Sequence, residues 1–157
     1  MPGYAVPRSR RGLLGWTWAA DRLRRSRNYW LVTTREDGSP HAMPVWGVWL
    51  DDRFYFSTGR ESRKGRNLRA RPPCVVCTER AEEAVIVEGA AVEVTDPALL
   101  DRVAAPYGRK YRPWKLDPGQ GVIYEVRPRT AFAMVEKTFP GSVTRWDFGA
   151  APAPGRR

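Results

Sequence analysis

The sequence predicts a mainly β protein, a closed or nearly closed barrel of antiparallel strands with a few short helices. Six or more segments rich in β-branched and aromatic residues alternate with short turns. Closing such a sheet removes the exposed edges that so many strands would otherwise leave. A chain of 157 residues builds one core. We therefore expect one domain at residues 16–148, between flexible Gly/Pro/Ala/Arg-rich tails at 1–15 and 149–157.

The first half of the chain is divided by turn residues and by the period of its apolar positions. A helix is predicted at 16–27, where apolar side chains recur at helical spacing. Strands are predicted at 29–34, 41–50 and 53–58, with the turn at 35–39 carrying an Asp-Gly signal. Trp46 and Trp49 are three apart in one predicted strand, so they face opposite sides. One belongs to the core, and the other needs a partner subunit or a flat ligand as cover.

The second half begins with a polar, helix-compatible segment at 61–70, which Pro72-Pro73 must end. Asp96-Pro97 starts another helix that is predicted to end at about Tyr107. The remaining segments are predicted strands at 73–79, 84–94, 121–127, 130–137 and 142–147.

Composition excludes several classes of function. No apolar stretch approaches the roughly 18 residues that span a bilayer, and the N-terminus lacks a signal-like apolar region. We therefore expect a soluble, cytoplasmic protein without a membrane partner. Cys74 and Cys77 lie in a β-branched segment and would face opposite sides of a strand. They are interpreted as reduced strand cysteines, neither a redox pair nor half of a metal site, and no metal is expected.

The net charge of +10 is a general arginine excess spread along the chain, without a nucleic-acid-binding motif. We expect no nucleic-acid partner. One local cluster, at residues 60–71, is denser than the rest and favours a small anionic ligand.

That cluster follows a strand and a glycine turn and opens a short helix. Helix N-termini present free N–H groups and a positive dipole end, which favour phosphate. Ser62 is a natural capping residue, Arg63 can bind two phosphate oxygens, and Lys64 supplies a compact charge. Arg66 and Asn67 follow one turn later. A solvated basic helix would have the same composition, but the strand–turn–helix context favours a phosphate site.

Two further features each have more than one interpretation. His41 is the single histidine and could act as an acid or base, but a hydrogen-bonding role at a strand start is favoured. Tyr107, Lys110, Tyr111 and Trp114 form an aromatic and basic loop. This loop either covers the site or binds an acidic cofactor tail, or is a surface loop whose long side chains cover apolar area.

Four stretches resemble the pyridoxamine 5′-phosphate oxidase-like split-barrel superfamily over about residues 16–148. They are the phosphate motif within 56–65, the hairpin at 33–41, Pro44-Val45-Trp46, and Val87-Glu88-Gly89. The resemblance implies an FMN-binding-like split β-barrel and a homodimer with two cofactor sites at the subunit interface. It implies that Ser62, Arg63, Lys64, Arg66 and Asn67 hold the phosphate. The ring would lie across the strands that contain Pro44, Val45, Trp46, Ser57 and Thr58.

Segments 66–68, 44–49 and 144–148 are most similar to the B group of flavin/deazaflavin oxidoreductases. This implies an oxidoreductase that uses coenzyme F420 for hydride transfer to a small organic substrate. The alternatives are an FMN-dependent enzyme of the same superfamily and a non-catalytic flavin- or tetrapyrrole-binding protein. No catalytic side chain is nominated.

The resemblance at Arg66-Asn67 favours coenzyme F420 over FMN, and cations near the phosphate motif could also meet its acidic tail. These cations are Arg60, Arg66, Arg69, Arg71, Lys110 and Arg112. True vitamin B6 oxidases carry a longer C-terminal segment that binds the substrate phosphate. The chain ends soon after Trp146, so pyridoxamine phosphate oxidation is not expected.

Overall fold

The structure, a computed structural model, describes residues 12–149. Three helices are present, α1 (Trp16–Arg25), α2 (Arg63–Ala70) and α3 (Pro97–Lys110), with a 3₁₀ turn at Glu136–Thr138. The eight strands are β1 (Tyr29–Thr34), β2 (Pro40–Val45), β3 (Gly47–Leu50), β4 (Arg53–Thr58), β5 (Pro73–Thr78), β6 (Glu83–Glu93), β7 (Val122–Val135) and β8 (Thr144–Asp147). The predicted tails lie mostly outside the described residues, although Leu14 packs against the core.

All eight strands form one antiparallel sheet in the order β2-β1-β5-β6-β7-β4-β3, with β8 added to β7. The two strands that end this order, β2 and β3, are consecutive in the chain and are joined by Trp46 alone. The sheet therefore curls until its two edges meet at one residue without pairing. This arrangement confirms the predicted mainly β split barrel, and the split lies at Trp46.

The predicted strand at 41–50 is wrong as a single element, because it breaks at Trp46. Its first half pairs with β1, whereas its second half pairs with β4. A single straight strand cannot form both edges of a curled sheet, so the backbone must bend between its two halves. Gly47 lies at this bend, where an added Cβ would come within 2.2 Å of the Phe54 ring.

The predicted strands at 121–127 and 130–137 are one continuous strand, β7. Pro128, which cannot donate to a ladder, lies within this strand. It lies opposite Gly89, where Arg129 of β7 is the extra residue of a bulge in the pairing with β6. A Cβ on Gly89 would lie 2.3 Å from the Arg127 carbonyl oxygen, so the close approach of the two strands requires glycine.

Helix α3 continues to Lys110 and contains Pro106, so its predicted end at Tyr107 is wrong. Gly108 resembles a stop signal, but burial of Val103 and Tyr107 holds the last turn against the sheet. The predicted loop at 107–114 is therefore a helical turn in its first half. At the other end, Asp96 caps the helix by accepting from the Ala98 N–H, as the sequence indicated.

The main core lies inside the sheet and beneath α1. Tyr29 and Phe54 are fully buried there with ring centroids 4.5 Å apart, and Trp49 is also buried. A second, smaller cluster fills the space under α3 and includes Val103 and Tyr111. The hairpin between β3 and β4 turns at Asp51 and Asp52, both with positive φ, which matches the right-handed twist of the strands.

The two cysteines alternate along β5 as predicted, with Cys74 buried and Cys77 half-buried. Burial raises the pKa of the Cys74 thiol to about 12 and also raises the pKa of Cys77. Both are unpaired and poor thiolates, which disfavours redox chemistry at this pair. Within residues 12–149, no helix is long and apolar enough to cross a bilayer.

Candidate functional site

A pocket of about 660 Å³ opens at the split of the barrel. Its walls come from the two sheet edges and the adjoining helix start, through Pro44, Val45, Trp46, Ser57, Thr58 and Lys64. Such a volume is typical of sites for small organic ligands and cofactors. The sheet is incomplete at this point, so the fold itself leaves the opening.

Trp46 forms an aromatic wall of this pocket. Its indole is 38% exposed and stacks on the Tyr111 ring, with centroids 4.9 Å apart and planes 11° apart. Trp49, three residues on, is 6% exposed in the main core. The prediction that one of the two tryptophans belongs to the core is confirmed. Tyr111 of the same chain covers one face of Trp46, and cover by a partner subunit or a flat ligand stays a prediction.

The unpaired backbone at the split is satisfied by the end of α3. The Tyr111 hydroxyl accepts from the Gly47 N–H at 2.8 Å and contacts the carbonyl oxygens of Arg27 at 2.6 Å and Gly47 at 2.9 Å. A buried peptide group without a partner costs about 1–3 kcal/mol. Tyr111 therefore holds the chain in place where the sheet stops.

Lys110 belongs to the same polar cluster. Its Nζ donates to the Tyr29 hydroxyl at 2.7 Å and to the Gly47 carbonyl at 2.8 Å. Burial lowers the pKa of Lys110 to about 8. Burial also raises the pKa of Tyr111 to about 12 and raises the pKa of Tyr29 strongly. The cluster is mainly an internal support of the pocket wall.

The start of α2 is built differently. The Ser62 Oγ accepts from the Gly65 N–H at 3.1 Å and lies 2.9 Å from the Thr58 Oγ1, which confirms Ser62 as the cap. Gly65 is required here, because a Cβ would lie 2.5 Å from the Gly59 carbonyl oxygen. The turn and the helix start are thereby packed backbone against backbone.

Two charges at this helix start have no counter-ion in the described part of the chain. No ion pair within residues 12–149 involves Arg63 or Lys64, and their N–H groups have no acceptor recorded there. Arg63 is exposed and Lys64 lines the pocket. Free N–H groups with adjacent uncompensated cations form a receptor for phosphate.

Other predicted cations are already engaged. Arg60 pairs with Glu93 at 2.8 Å, and Arg69 lies 3.6 Å from Glu61. Arg66 donates to the Glu61 carbonyl at 2.8 Å, and Arg71 donates to the Glu36 carbonyl at 3.0 Å. Of the cations expected to meet an acidic tail, Arg112 is exposed and belongs to no ion pair among the described residues.

The structure thus brings six of the ten predicted site residues into the pocket lining, with Ser62 and Arg63 next to it at the helix start. Asn67 is placed elsewhere. It is 3% exposed, and its Nδ2 donates to the Thr33 Oγ1 at 2.9 Å, which ties α2 to β1. Arg66 is half-buried beside Glu61.

Two lining residues were not among the predicted ten. Tyr107, which sequence reasoning left open between covering the site and lying on the surface, is buried and lines the pocket. Asn28 lines it from the residue before β1. A single polar residue in a short connection has no local signal, so only the tertiary structure could identify Asn28.

His41 lies on β2 near the same charges. The recorded hydrogen bond is to its carbonyl oxygen, from the Thr33 Oγ1 at 3.4 Å, and the shielded ring Nδ1 has no partner among the described residues. Desolvation and the cations Arg35, Lys64 and Arg63 lower the pKa of His41. The imidazole is therefore neutral at pH 7. The sequence favoured a hydrogen-bonding role for His41, and its backbone carbonyl fills that role while its ring Nδ1 does not.

Comparisons of the sequence with a family model and with curated proteins agree on one family. The family model described as pyridoxamine 5′-phosphate oxidase matches residues 19–139. A pyridoxine/pyridoxamine 5′-phosphate oxidase of Myxococcus xanthus is 42% identical over 69 residues, covering 42% of this chain and 34% of that protein. The chain spans about a third of the length of the curated relatives that it matches.

Solved structures share the fold. A conserved hypothetical protein of Mycobacterium tuberculosis superposes with a TM-score of 0.71 at 23% identity, covering 83% of this chain and 91% of that one. An F420 reductase superposes with a TM-score of 0.57 at 25% identity, covering 71% of this chain and 93% of that one.

Proposed function

The chain belongs to the pyridoxamine 5′-phosphate oxidase family, and on that premise we propose that it is an oxidoreductase that binds a flavin-type cofactor at the barrel split. The observation that carries the proposal is the start of α2, where uncompensated cations and free N–H groups adjoin a pocket with an aromatic wall. A phosphate and a flat ring are the two chemical features that these walls match.

Within this proposal, the phosphate is held by the N–H groups of Arg63 and Lys64 and by their side chains, with the Ser62 hydroxyl beside them. Each charge-assisted hydrogen bond of this kind contributes about 1.5–3 kcal/mol. Arg66 and Asn67 remain proposed members of the set. Arg66 would need to leave the Glu61 carbonyl, and Asn67 would support the helix from inside through Thr33.

The ring would be lined by Pro44, Val45 and Trp46 on one side of the split and by Ser57 and Thr58 on the other. When bound, a flavin-type cofactor supplies hydride transfer, and the protein supplies binding, orientation and exclusion of water. Trp46 is suited to that role because Tyr111 fixes its plane. The substrate would be a small organic molecule placed next to the ring.

We propose coenzyme F420 as the cofactor in preference to FMN. The similarity to an F420 reductase at 25% identity supports this choice. The exposed cation Arg112 supports it too, because it could meet an acidic tail. The ion pairs of Arg60 and Arg69 reduce the charge available for that tail. The preference is therefore directly testable by competition.

The experiment is a titration of purified protein with F420 and with FMN at low and high salt. F420 should bind more tightly, and its affinity should fall more steeply with salt, since exposed charge pairs are screened. If FMN binds more tightly than F420 at both salt concentrations, the cofactor is FMN and the F420 proposal is wrong. Haem is included as a third ligand. Stoichiometric haem binding without binding of either flavin would identify a tetrapyrrole-binding protein instead.

Catalysis is tested separately, by anaerobic spectra of the protein loaded with reduced cofactor and mixed with candidate acceptors. Reoxidation that depends on one added acceptor supports an enzyme. Reoxidation that never depends on the acceptor indicates a non-catalytic binding protein. We also propose a cytoplasmic location, which the unpaired Cys74 and Cys77 support.

We propose that the protein is a homodimer through the outer face of the sheet. An apolar row crosses five neighbouring strands there, in register, through Pro44, Trp30, Cys77, Ile86 and Phe132. Trp30 is 48% exposed, and together with its neighbours in the row it presents a contiguous apolar surface, which is typical of an interaction site. Pro44 belongs both to this row and to the pocket lining, so a second subunit on this face would lie beside the pocket.

Sedimentation should give twice the chain mass of 17.8 kDa. Trp30→Glu should yield a monomer, because a carboxylate cannot be buried in an apolar interface without a partner. Trp114→Glu is the matched control, since Trp114 is 63% exposed and lies outside the row. A monomeric wild-type protein that still binds cofactor would contradict the dimer.

A further inference from the structure

A second cleft, of about 380 Å³, lies beside the end of α3. The small residues Ala104 and Ala105 line it together with Leu116 and Trp114. The Trp114 side chain is 63% exposed, the largest exposure among the large apolar residues described. Its ring centroid lies 6.3 Å from that of Trp46, so this cleft adjoins the main pocket through a pair of tryptophans.

Three cations, Arg109, Arg112 and Lys115, line the same cleft. All three are exposed, and none belongs to an ion pair among residues 12–149. No carboxylate lines the cleft. The combination of an exposed indole with three uncompensated positive charges favours a molecule that is both aromatic and anionic.

The surroundings of Gly108 show that the cleft leaves open space above α3. It lines the cleft in the last turn of α3, and an added Cβ would meet nothing within 4 Å. Glycine weakens a helix interior relative to other residues. No close approach to another part of the chain requires it here, in contrast to Gly65 and Gly89. A bulky side chain at this position would therefore occupy the cleft without disturbing a packed neighbour.

We propose that the cleft at the end of α3 is a binding site for a flat organic anion, separate from the main pocket and adjoining it. The aromatic part of the ligand packs on Trp114 above the small side chains of α3. Its anionic group is met by Arg109, Arg112 and Lys115. The site stands on its own geometry, and Arg112 is the residue that it shares with the tail contact proposed above for F420.

The test is calorimetric titration of the full chain, without cofactor, using three probes. These are 2-naphthoate, its neutral isostere 2-naphthylmethanol, and the non-aromatic anion cyclohexanecarboxylate. The first should bind with a dissociation constant below about 1 mM. The other two should bind at least about tenfold more weakly, because each lacks one of the two features. Equal binding of either control probe would overturn the proposal.

The location is tested by filling the cleft. Gly108→Leu should abolish 2-naphthoate binding, and Gly108→Ala should weaken it less. Both variants should unfold at the wild-type temperature or above it, because both residues favour the helix. Undiminished binding by a folded Gly108→Leu protein would overturn the proposal. Lys64→Gln should leave the affinity unchanged, and a loss there would place the probe in the main pocket and overturn it too.

The charges are tested by a triple change of Arg109, Arg112 and Lys115 to Gln, which should weaken 2-naphthoate binding at least about tenfold. The matched control changes Arg24, Arg129 and Lys137 to Gln. These three residues are also exposed and in no ion pair among the described residues. It should alter the affinity less than about twofold. Equal losses in the two triple variants would show unspecific charge attraction and overturn the site.

A last arm distinguishes a flat anion from a flexible polyanion such as the acidic tail of F420. γ-Glutamyl-glutamate should bind at least about tenfold more weakly than 2-naphthoate, because it has no ring to pack on Trp114. The reverse order of affinities would assign the cleft to the cofactor tail and overturn the proposal. Failure of F420 or FMN to bind would refute the proposed function and leave this result intact.

Discussion

The start of α2 and the end of α3 each place a lysine near the pocket, but the two lysines differ in what surrounds them. Lys64 lines the pocket, and no ion pair among the described residues involves it. Lys110 is half-buried and donates to the Tyr29 hydroxyl and the Gly47 carbonyl. The charge of Lys64 is therefore available to a ligand, whereas Lys110 supports the fold. Residue type alone does not distinguish these roles.

The largest effect should come from removing the free charges. The double variant Arg63→Ala, Lys64→Ala should weaken binding of the phosphate-bearing cofactor by about 2–4 kcal/mol, because two charge-assisted contacts are lost. Its free energy of unfolding should change by less than about 0.5 kcal/mol, since neither side chain supports a packed neighbour. Titration of cofactor and urea denaturation measure the two quantities.

The control for that experiment is Arg24→Ala, Lys137→Ala, which removes the same net charge away from the pocket. It should leave the affinity within about twofold of wild type. Unchanged affinity in the Arg63, Lys64 double variant would refute the phosphate site.

A smaller effect, this time on stability, is expected at the end of α3. Tyr111→Phe keeps the stacked ring but leaves the buried Gly47 N–H without its acceptor. The free energy of unfolding should fall by about 2 kcal/mol. Tyr55→Phe is a matched control, because Tyr55 is 4% exposed and no hydrogen bond of its hydroxyl is recorded within residues 12–149. Equal losses in the two variants would show that the hydroxyl of Tyr111 does not hold the split.

The dependence of stability on pH tests the buried position of Lys110. Lysine titrates near pH 10.4 in an unfolded chain, whereas the pKa of Lys110 is about 8 in the fold. Between these values the unfolded chain binds more protons, so the contribution of Lys110 to the free energy of unfolding rises with pH. Above about pH 8.5 the raised pKa values of Cys74 and Cys77 act in the opposite direction, because the unfolded thiols lose protons first. Near pH 10 and above, Tyr29 and Tyr111 add to this fall for the same reason.

Urea denaturation between pH 7 and 11 measures this profile. The difference in free energy of unfolding between the wild type and Lys110→Met should rise between about pH 8 and 10, because only the wild type carries the shifted lysine. The opposing fall due to the thiols and phenols is common to both proteins and cancels in that difference. A difference that does not change with pH would assign the titration to another group.

The smallest effect is expected at Arg66. Its guanidinium already donates to the Glu61 carbonyl, so Arg66→Gln should weaken cofactor binding by less than about 1 kcal/mol. The same cofactor titration measures it. A loss as large as that of Lys64→Ala would show that Arg66 leaves Glu61 and binds the phosphate directly.

Local sequence signals determined much of this protein. The Ser62 cap, the turn at 35–39, the start of α3 at Asp96-Pro97 and the alternation along β5 were all predicted, and all are present. Each depends on neighbours within about four residues, which is the range over which capping, turn geometry and period-two alternation operate. The proposed phosphate motif rests on signals of the same short range.

The tertiary structure alone decided the rest. The break at Trp46 arises because β2 and β3 pair with different ends of the sheet, and no local residue encodes that choice. Asn67 looked like a ligand residue from its spacing, but a contact with Thr33, 34 residues away, places it in the interior. Lys110 and Tyr111 were recognised as a basic and aromatic pair, yet their partners lie more than 60 residues away. Long-range packing decides whether a polar group makes hydrogen bonds within the fold or stays available to a ligand. Those contacts join residues far apart in the chain, so no local sequence pattern indicates them.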